Sequence, residues 1–191
     1  MKKIEIISAL LGDVAIPLVG FLFWDWGFYF IALFFLFDLL FRTLFLKKRV
    51  SSLPDFSLRN KFLFKGFLYP FIEFVLIHCI VVVSFSSLSI GDAFIDFLTY
   101  EDLGIQQGVV LIPLLLLNEI MKIRNEKKMG VPASVRAQLL LNNQKVQLYR
   151  IVFCVILYLL VLFLTIDESI LITAFFIVLT VQPFVVFRNM N

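Results

Sequence analysis

The sequence predicts an all-α integral membrane protein, and three observations carry that prediction. Of the 191 residues, 61% are hydrophobic and only 16% are charged, whereas soluble domains contain roughly 45–50% apolar and about 25% charged residues. The mean hydropathy is +1.00, and a soluble domain of this size exposes too much surface to hide so many apolar side chains. The polar residues are gathered into segments between long apolar runs. Together these observations exclude a soluble enzyme, a disordered chain and a repeat solenoid.

Six apolar stretches predict six membrane-spanning helices, arranged as three hairpins in one membrane-embedded domain that covers residues 1–191. A helix needs about 20 residues to cross the hydrocarbon core. The predicted spans are residues 6–23, 28–45, 67–90, 104–121, 147–165 and 170–187. Tight turns at Trp24–Gly27 and Ile166–Ser169 join the first and the last pair of spans. A short helix from Asp92 to Leu98, capped at Asp92, is expected in the outer interface.

The distribution of charge predicts the orientation in the membrane. If both termini are cytoplasmic, all 17 Lys and Arg residues lie on the cytoplasmic side or within a helical turn of it, as the positive-inside rule requires. Trp24 and Trp26 fall where an interfacial aromatic belt is expected. The outer turns contain acidic residues and no Lys or Arg: Asp25, Asp92, Asp96, Glu101, Asp102, Asp167 and Glu168. The sequence therefore predicts an inner-membrane protein with both ends inside.

Ionisable side chains within the spans are predicted to form one layer about 10 Å below the cytoplasmic edge, at 1.5 Å per helical residue. Charged groups are costly in lipid and therefore mark candidate functional positions. This intramembrane polar layer consists of Asp13, Asp38, Arg42, Glu73, Glu119 and Arg150. In a structural interpretation, Asp38 pairs with Arg42 on the same helix and Glu73 pairs with Arg150 from another span. In a functional interpretation, the layer lines a water-filled cavity open to the cytoplasm, with Asp13 as its most informative member.

Four of the predicted spans contain a proline, which removes one helix hydrogen bond and frees the carbonyl four residues earlier. The predicted helix-breaking positions are Pro17, Pro70, Pro113 and Pro183. At Pro17 the freed carbonyl belongs to Asp13, and broken transporter helices coordinate cations with such an arrangement. The alternative interpretation is a simple kink.

The sequence predicts neither a cofactor nor a metal site. His78 is the single histidine, so zinc and haem sites that need two are excluded, and a neutral, hydrogen-bonded role within the bundle is expected for it. Cys79 and Cys154 lie in apolar runs and are interpreted as small buried hydrophobes. Gly12–Asp13 matches the end of the G-x-G-D motif of intramembrane aspartyl proteases. Leu10 stands in place of the first glycine, so an intramembrane hydrolase is a minor alternative.

Basic residues between the fourth and fifth spans form a candidate surface for lipid or partner binding. They face one acid, Glu126, and are Lys122, Arg124, Lys127, Lys128, Arg136 and Lys145. In one interpretation, these residues set the orientation of the protein in the membrane and attract anionic lipids. The other is the docking of an anionic partner on a helix that begins at Pro132. The expected partners are membrane lipids, a second copy of the chain, and a cytosolic protein or ribonucleoprotein.

Two resemblances to known families bear on function. Ile16–Phe23, followed by Trp26 and Asp38, resembles the first hairpin of an uncharacterised bacterial family of multi-pass membrane proteins, and Phe74–His78 is similar to a later span of that family. The size, the span number and the Phe, Ile, Lys and Asn content resemble the small transmembrane accessory proteins encoded beside RNA-targeting type VI-B CRISPR effectors. This second resemblance implies an antiviral-defence accessory that acts at the membrane beside a cytosolic nuclease, and it carries over no catalytic residues.

Two functional classes follow from these observations. The first is a non-enzymatic accessory or effector protein that acts through basic cytoplasmic loops and helix-bundle assembly. The second is a small cation- or proton-coupled transporter or channel that uses the carboxylates of the polar layer. We favour the first, because the outer halves of the spans contain no Asp, Glu, Lys or Arg and so offer no charged route through a monomer.

Overall fold

The computed structural model describes residues 14–51, 53–102, 105–128, 130 and 132–188, and this part of the chain consists of helices, the turns that connect them and one short two-stranded bridge. The helices are α1 Ile16–Phe23, α2 Phe28–Leu44, α3 Leu46–Val50, α4 Phe56–Ser84, α5 Ile90–Thr99, α6 Gln107–Lys128, α7 Ala133–Phe163 and α8 Glu168–Arg188. Two strands of two residues, β1 (Glu101–Asp102) and β2 (Ile105–Gln106), pair in antiparallel fashion before α6. The predicted all-α class is confirmed.

Two of the described helices, α4 with 29 residues and α7 with 31, are long and apolar enough to cross a membrane. The α2 helix has 17 residues, and α8 is apolar over Glu168–Thr180. The α6 helix contains Glu119, Lys122 and Arg124 within its second half. Two such helices are consistent with membrane association.

The α4 helix begins at Phe56, well before the predicted span at residues 67–90. Asp55 caps it: the carboxylate Oδ1 accepts a hydrogen bond of 2.8 Å from the backbone N–H of Ser57. A side-chain cap of this kind satisfies one of the unpaired N–H groups of the first turn. The helix ends at Ser84, and α5 follows with Ser89, rather than Asp92, as its N-cap.

The segment 122–146, predicted as a basic linker, is largely helical. The α6 helix continues to Lys128, and α7 begins at Ala133 directly after Pro132. The helix predicted to begin at Pro132 is present, and it passes the predicted start of the fifth span at Gln147 without a break. The basic residues of this segment therefore stand on two rigid elements.

The α2 helix is the central element of the bundle. Eleven of its 17 residues are buried, because α1, α4, α5, α6 and α8 all pack against it. A helix that is apolar on all sides is stable only when other helices surround it in this way. Phe28 and Phe34 of α2 and Phe97 of α5 are among the largest fully buried side chains.

Trp26, predicted to lie in an interfacial belt, is instead only 1% exposed. Its indole packs against Phe34 and Phe97, with ring centroids 6.3 Å apart in both cases. Its six-membered ring lies on Gly20 of α1, which has no side chain to obstruct it. The missing side chain at Gly20 therefore lets the indole enter the core at the α1–α2 turn.

Gly20→Ala is expected to destabilise the bundle by about 1–3 kcal/mol, the usual cost of overpacking a well-packed core. A Cβ at this position would overlap the Trp26 indole, which Phe34 and Phe97 hold in place. Unfolding of the purified protein in detergent, followed by Trp fluorescence, measures the effect. Gly91→Ala is the matched control, because nothing lies within 4 Å of a Cβ there. A Gly20→Ala variant as stable as the control would contradict the described packing.

A second, smaller hydrophobic cluster lies beside the basic segments. It joins α3, the first turns of α4 and the first turns of α7, and its buried members are Leu46, Val50, Leu53, Phe62 and Leu140. Close to it, the Gln144 side-chain amide donates a hydrogen bond of 3.0 Å to the Phe62 carbonyl oxygen. We call α3, residues 56–66 of α4, 122–128 of α6 and 133–146 of α7 the basic collar.

Candidate functional site

Among the described residues, the most deeply buried ion pair joins α4 to α7. The Arg150 guanidinium faces both oxygens of Glu73: Nη2 donates a hydrogen bond of 3.1 Å to Oε2, and Nε lies 2.9 Å from Oε1. The Glu73 side chain is 1% exposed and that of Arg150 is 5% exposed. The pairing expected from the sequence is therefore present, with one aligned hydrogen bond and a second close approach between the charged groups.

The Glu73–Arg150 pair also reaches the central helix. The Arg150 Cζ atom lies 4.7 Å from the centre of the Phe35 ring on α2, within the range of a cation–π contact. The α4 and α7 helices share the most extensive helix–helix contact of the described residues. One guanidinium group thus connects three helices within the bundle.

The second expected pair lies within one helix. Arg42 Nε is 2.7 Å from Asp38 Oδ2, one turn apart on α2. The Asp38 side chain is 9% exposed and the Arg42 side chain is 25% exposed. The carboxylate is therefore buried against the bundle, while the guanidinium that meets it is partly exposed.

A third pair, between Arg49 and Glu119, was not expected from the sequence. Arg49 Nη2 lies 2.9 Å from Glu119 Oε1 and 3.3 Å from Glu126 Oε1, so it bridges two turns of α6. The Glu119 side chain is 2% exposed, and within the described part of the chain neither of its oxygens accepts an aligned hydrogen bond. Its stabilisation there is therefore chiefly Coulombic. The sequence feature that could have indicated this pair was the basic run 47–49, which needs an acidic partner such as Glu119.

Each described carboxylate of the predicted polar layer thus lies against an arginine. Asp13, the remaining member, lies outside the described residues. Pairing of this kind favours the structural interpretation, because each of these buried acidic side chains has a basic partner within the bundle. The structure joins Asp38 to Arg42, Glu73 to Arg150, and Glu119 to Arg49.

The four predicted helix-breaking prolines occupy different environments. Pro17 is buried in the first turn of α1, which begins at Ile16 directly after the π-helical residues Val14 and Ala15. Pro70 is buried inside α4, and Pro113 lies exposed inside α6. Pro183 falls within α8. Pro17 therefore lies near the described start of α1, and the Asp13 carbonyl that it was predicted to free lies outside the described residues.

His78 makes the hydrogen-bonded contacts expected of a lone histidine in a bundle. Its Nδ1 lies 2.8 Å from the Phe74 carbonyl oxygen, and its Nε2 lies 3.4 Å from the Tyr29 hydroxyl. The Tyr29 and His78 rings meet edge to face. This contact ties the beginning of α2 to the second half of α4.

Two cavities lie away from the polar layer. The first, of about 540 Å³, is an apolar groove between α2 and α4. The second, of about 490 Å³, lies near the α1–α2 turn and is lined in part by Asp25, Asp96 and Glu168. Glu168 has a structural task there, because its Oε1 accepts a hydrogen bond of 2.6 Å from the Phe28 backbone N–H at the start of α2. Of the polar-layer carboxylates that the structure describes, none lines either cavity.

The residues predicted to bind lipid or a partner lie on the basic collar. Arg124 and Lys128 are exposed on α6, whereas Lys122 on α6 and Arg136 on α7 are half-buried. Lys127 lies on α6 between them. Lys145 is exposed on α7, and the collar also brings in exposed basic residues that the prediction left out: Lys47, Lys48 and Lys61.

Comparison with protein families, curated proteins and solved structures finds no match to this chain. Among the described residues, no group of three His, Cys, Asp or Glu side chains lies close enough together to hold a metal ion. Cys79 is half-buried and Cys154 is buried, both as free thiols. The argument for function therefore depends on the buried ion pairs and the basic collar.

Proposed function

We propose that the protein is a non-enzymatic, six-span membrane accessory protein that presents its basic collar to an anionic cytosolic partner. The observation that carries this proposal is the rigidity of the collar. Its α3, α4 and α7 segments share one hydrophobic cluster, and Arg49 ties α3 to α6. Basic residues on loose loops would attract any anion according to the number of charges. Basic residues held in fixed positions favour a partner whose negative charges have the matching arrangement.

The lengths of α4 and α7 support the six-span arrangement. At 1.5 Å per residue, their 29 and 31 residues extend about 43–46 Å, against about 30 Å for the hydrocarbon core. The excess falls at their basic N-terminal ends, residues 56–66 and 133–146. The pairs Phe62–Gln144 and Glu73–Arg150 mean that the two helices run parallel, as the third and fifth of six spans must.

The resemblance to type VI-B accessory proteins suggests a ribonucleoprotein as the partner. RNA offers a dense row of phosphates, and Lys and Arg bind these by releasing counterions. A test is the binding of a fluorescent single-stranded RNA to the protein in phosphatidylcholine nanodiscs, at several salt concentrations. We expect the affinity to fall with salt and to fall further in Arg124→Ala/Lys128→Ala. Asn125→Ala/Asn143→Ala, which removes exposed uncharged side chains from the α6 and α7 parts of the collar, should bind like the wild type.

Salt-insensitive or undetectable binding of RNA, together with no binding of an acidic polypeptide, would contradict the proposal. Binding of the acidic polypeptide alone would assign the collar to an acidic protein and would contradict the ribonucleoprotein partner. Both measurements use the intact chain without anionic lipid, so the attraction of the collar to lipid headgroups does not contribute.

The second candidate, a cation- or proton-coupled transporter, is favoured by one observation. Glu119 is 1% exposed and depends on a single arginine contact at 2.9 Å, so release of Arg49 would free a buried carboxylate. Ion flux into proteoliposomes tests this alternative. The accessory function predicts no flux above empty vesicles, whereas flux that Asp13→Asn abolishes would replace it with transport.

A further inference from the structure

The apolar groove between α2 and α4 has the chemistry of a hydrocarbon-chain site. It has a volume of about 540 Å³, within the range of ordinary small-molecule sites. Its lining residues are Leu36, Leu39, Leu40, Thr43, Phe64, Phe67, Leu68, Pro70, Phe71 and Phe74. The single hydroxyl among them is committed, since Thr43 donates it to the Leu39 carbonyl oxygen at 2.8 Å. The groove therefore offers no side-chain donor to a polar ligand.

Contacts at both ends hold the groove open. At one end Tyr29 meets His78. At the other end Leu46 lies against Gly66, where a Cβ would overlap its side chain. Between these contacts the two helices run antiparallel, and large side chains of α4 flank the space instead of filling it: Phe67 and Phe71 are 51% and 65% exposed.

A basic mouth lies at the Leu46–Gly66 end of the groove. Lys47 follows Thr43 by four residues along the α2–α3 path, and Lys61 precedes Phe64 by three residues on α4, so each continues the stripe of residues that lines its wall. Both lysines are exposed. Between residues 39 and 72 there are seven basic residues and one acid, Asp55, which caps α4. The charge at this mouth is complementary to an anionic headgroup.

We propose that this groove binds one anionic phospholipid, with an acyl chain between α2 and α4 and the phosphate at Lys47 and Lys61. The six-span placement puts the groove within the bilayer and the two lysines at its cytoplasmic surface, so the inference rests on that part of the proposed function. Clustered Lys and Arg residues at this depth attract anionic lipids with about 1 kcal/mol per residue. The apolar groove adds a fixed position that charge alone does not provide.

Photocrosslinking tests the site. The protein is reconstituted in phosphatidylcholine vesicles with a small, equal fraction of photoreactive phosphatidylglycerol or photoreactive phosphatidylcholine, and the labelled peptides are identified by mass spectrometry. We expect phosphatidylglycerol to label segments 36–43 and 64–74 about tenfold more than phosphatidylcholine. The reason is that Lys47 and Lys61 attract the net negative charge of phosphatidylglycerol, which phosphatidylcholine lacks. Lys47→Glu/Lys61→Glu should bring this ratio close to one.

A groove-filling variant separates this site from general contact with lipid. Leu40→Trp should lower labelling of both segments by both lipids, whereas Val152→Trp, at an exposed position of α7, should leave it unchanged. Equal labelling by the two lipids in the wild type, or a ratio that the double charge reversal leaves unchanged, would overturn the proposal. This assay contains no RNA and the nanodisc assay contains no anionic lipid, so either proposal can fail without the other.

Discussion

Arg150→Met should destabilise the protein by about 3–5 kcal/mol, because it leaves the Glu73 carboxylate buried without its counter-charge. Glu73 is 1% exposed, and the guanidinium contacts both of its oxygens. Interhelical polar contacts in membranes contribute only about 0.6 kcal/mol on average. The loss should therefore come mainly from the orphaned charge. Unfolding in mixed detergent micelles, followed by Trp fluorescence, measures it.

The double variant Glu73→Leu/Arg150→Met is the decisive control. It removes both charges, and replacement of a buried ion pair by apolar side chains of similar volume is often neutral or stabilising. We therefore expect it to recover most of the stability that Arg150→Met loses. Arg150→Lys should lie between the two, because an ammonium group keeps the charge but cannot contact both oxygens in a fixed fork. A double variant as unstable as Arg150→Met would contradict the account of this pair.

Arg49→Met should lower the free energy of unfolding by about 3 kcal/mol, because it also leaves a buried carboxylate without its counter-charge. It orphans Glu119, whose side chain is 2% exposed, and it releases α3 from α6. Glu126→Ala removes the contact of Arg49 with a 28% exposed carboxylate and should lower the free energy of unfolding by less than about 1 kcal/mol, as the loss of solvent-exposed pairs does. The same unfolding measurement compares the two variants, and equal losses would contradict the assignment of Glu119 as the buried partner.

Much of the helical arrangement could be predicted from the sequence, because the apolar runs are long and the turns between them are short. The Glu73–Arg150 contact could also be predicted, since an intramembrane charge without a partner is too costly to keep. Sequence order alone placed Asp38 and Arg42 one turn apart. All three predictions depended only on the composition of the chain and on the spacing of residues along it.

The starts of α4 and α7 could not be predicted in the same way. Both lie in polar segments, and they are set by a cap at Asp55 and by Pro132, which local chemistry determines and hydropathy does not report. The Arg49–Glu119 pair was missed because it depends on how α3 follows α2. The position of Trp26 was predicted wrongly, because its indole occupies the space that a side chain at residue 20 would fill. Only the folded packing shows that Gly20 lies beside it.

Thiol labelling in intact cells tests the central claim, that the basic collar is cytoplasmic and the acidic turns are outside. In a background without Cys79 and Cys154, single cysteines replace Ser57, Asn143 or Ser169, all of which are exposed. The six-span arrangement predicts that an impermeant maleimide labels the cysteine at 169 in intact cells and labels those at 57 and 143 only after the membrane is permeabilised. Labelling of the cysteine at 57 or 143 in intact cells would place the collar outside and contradict the arrangement.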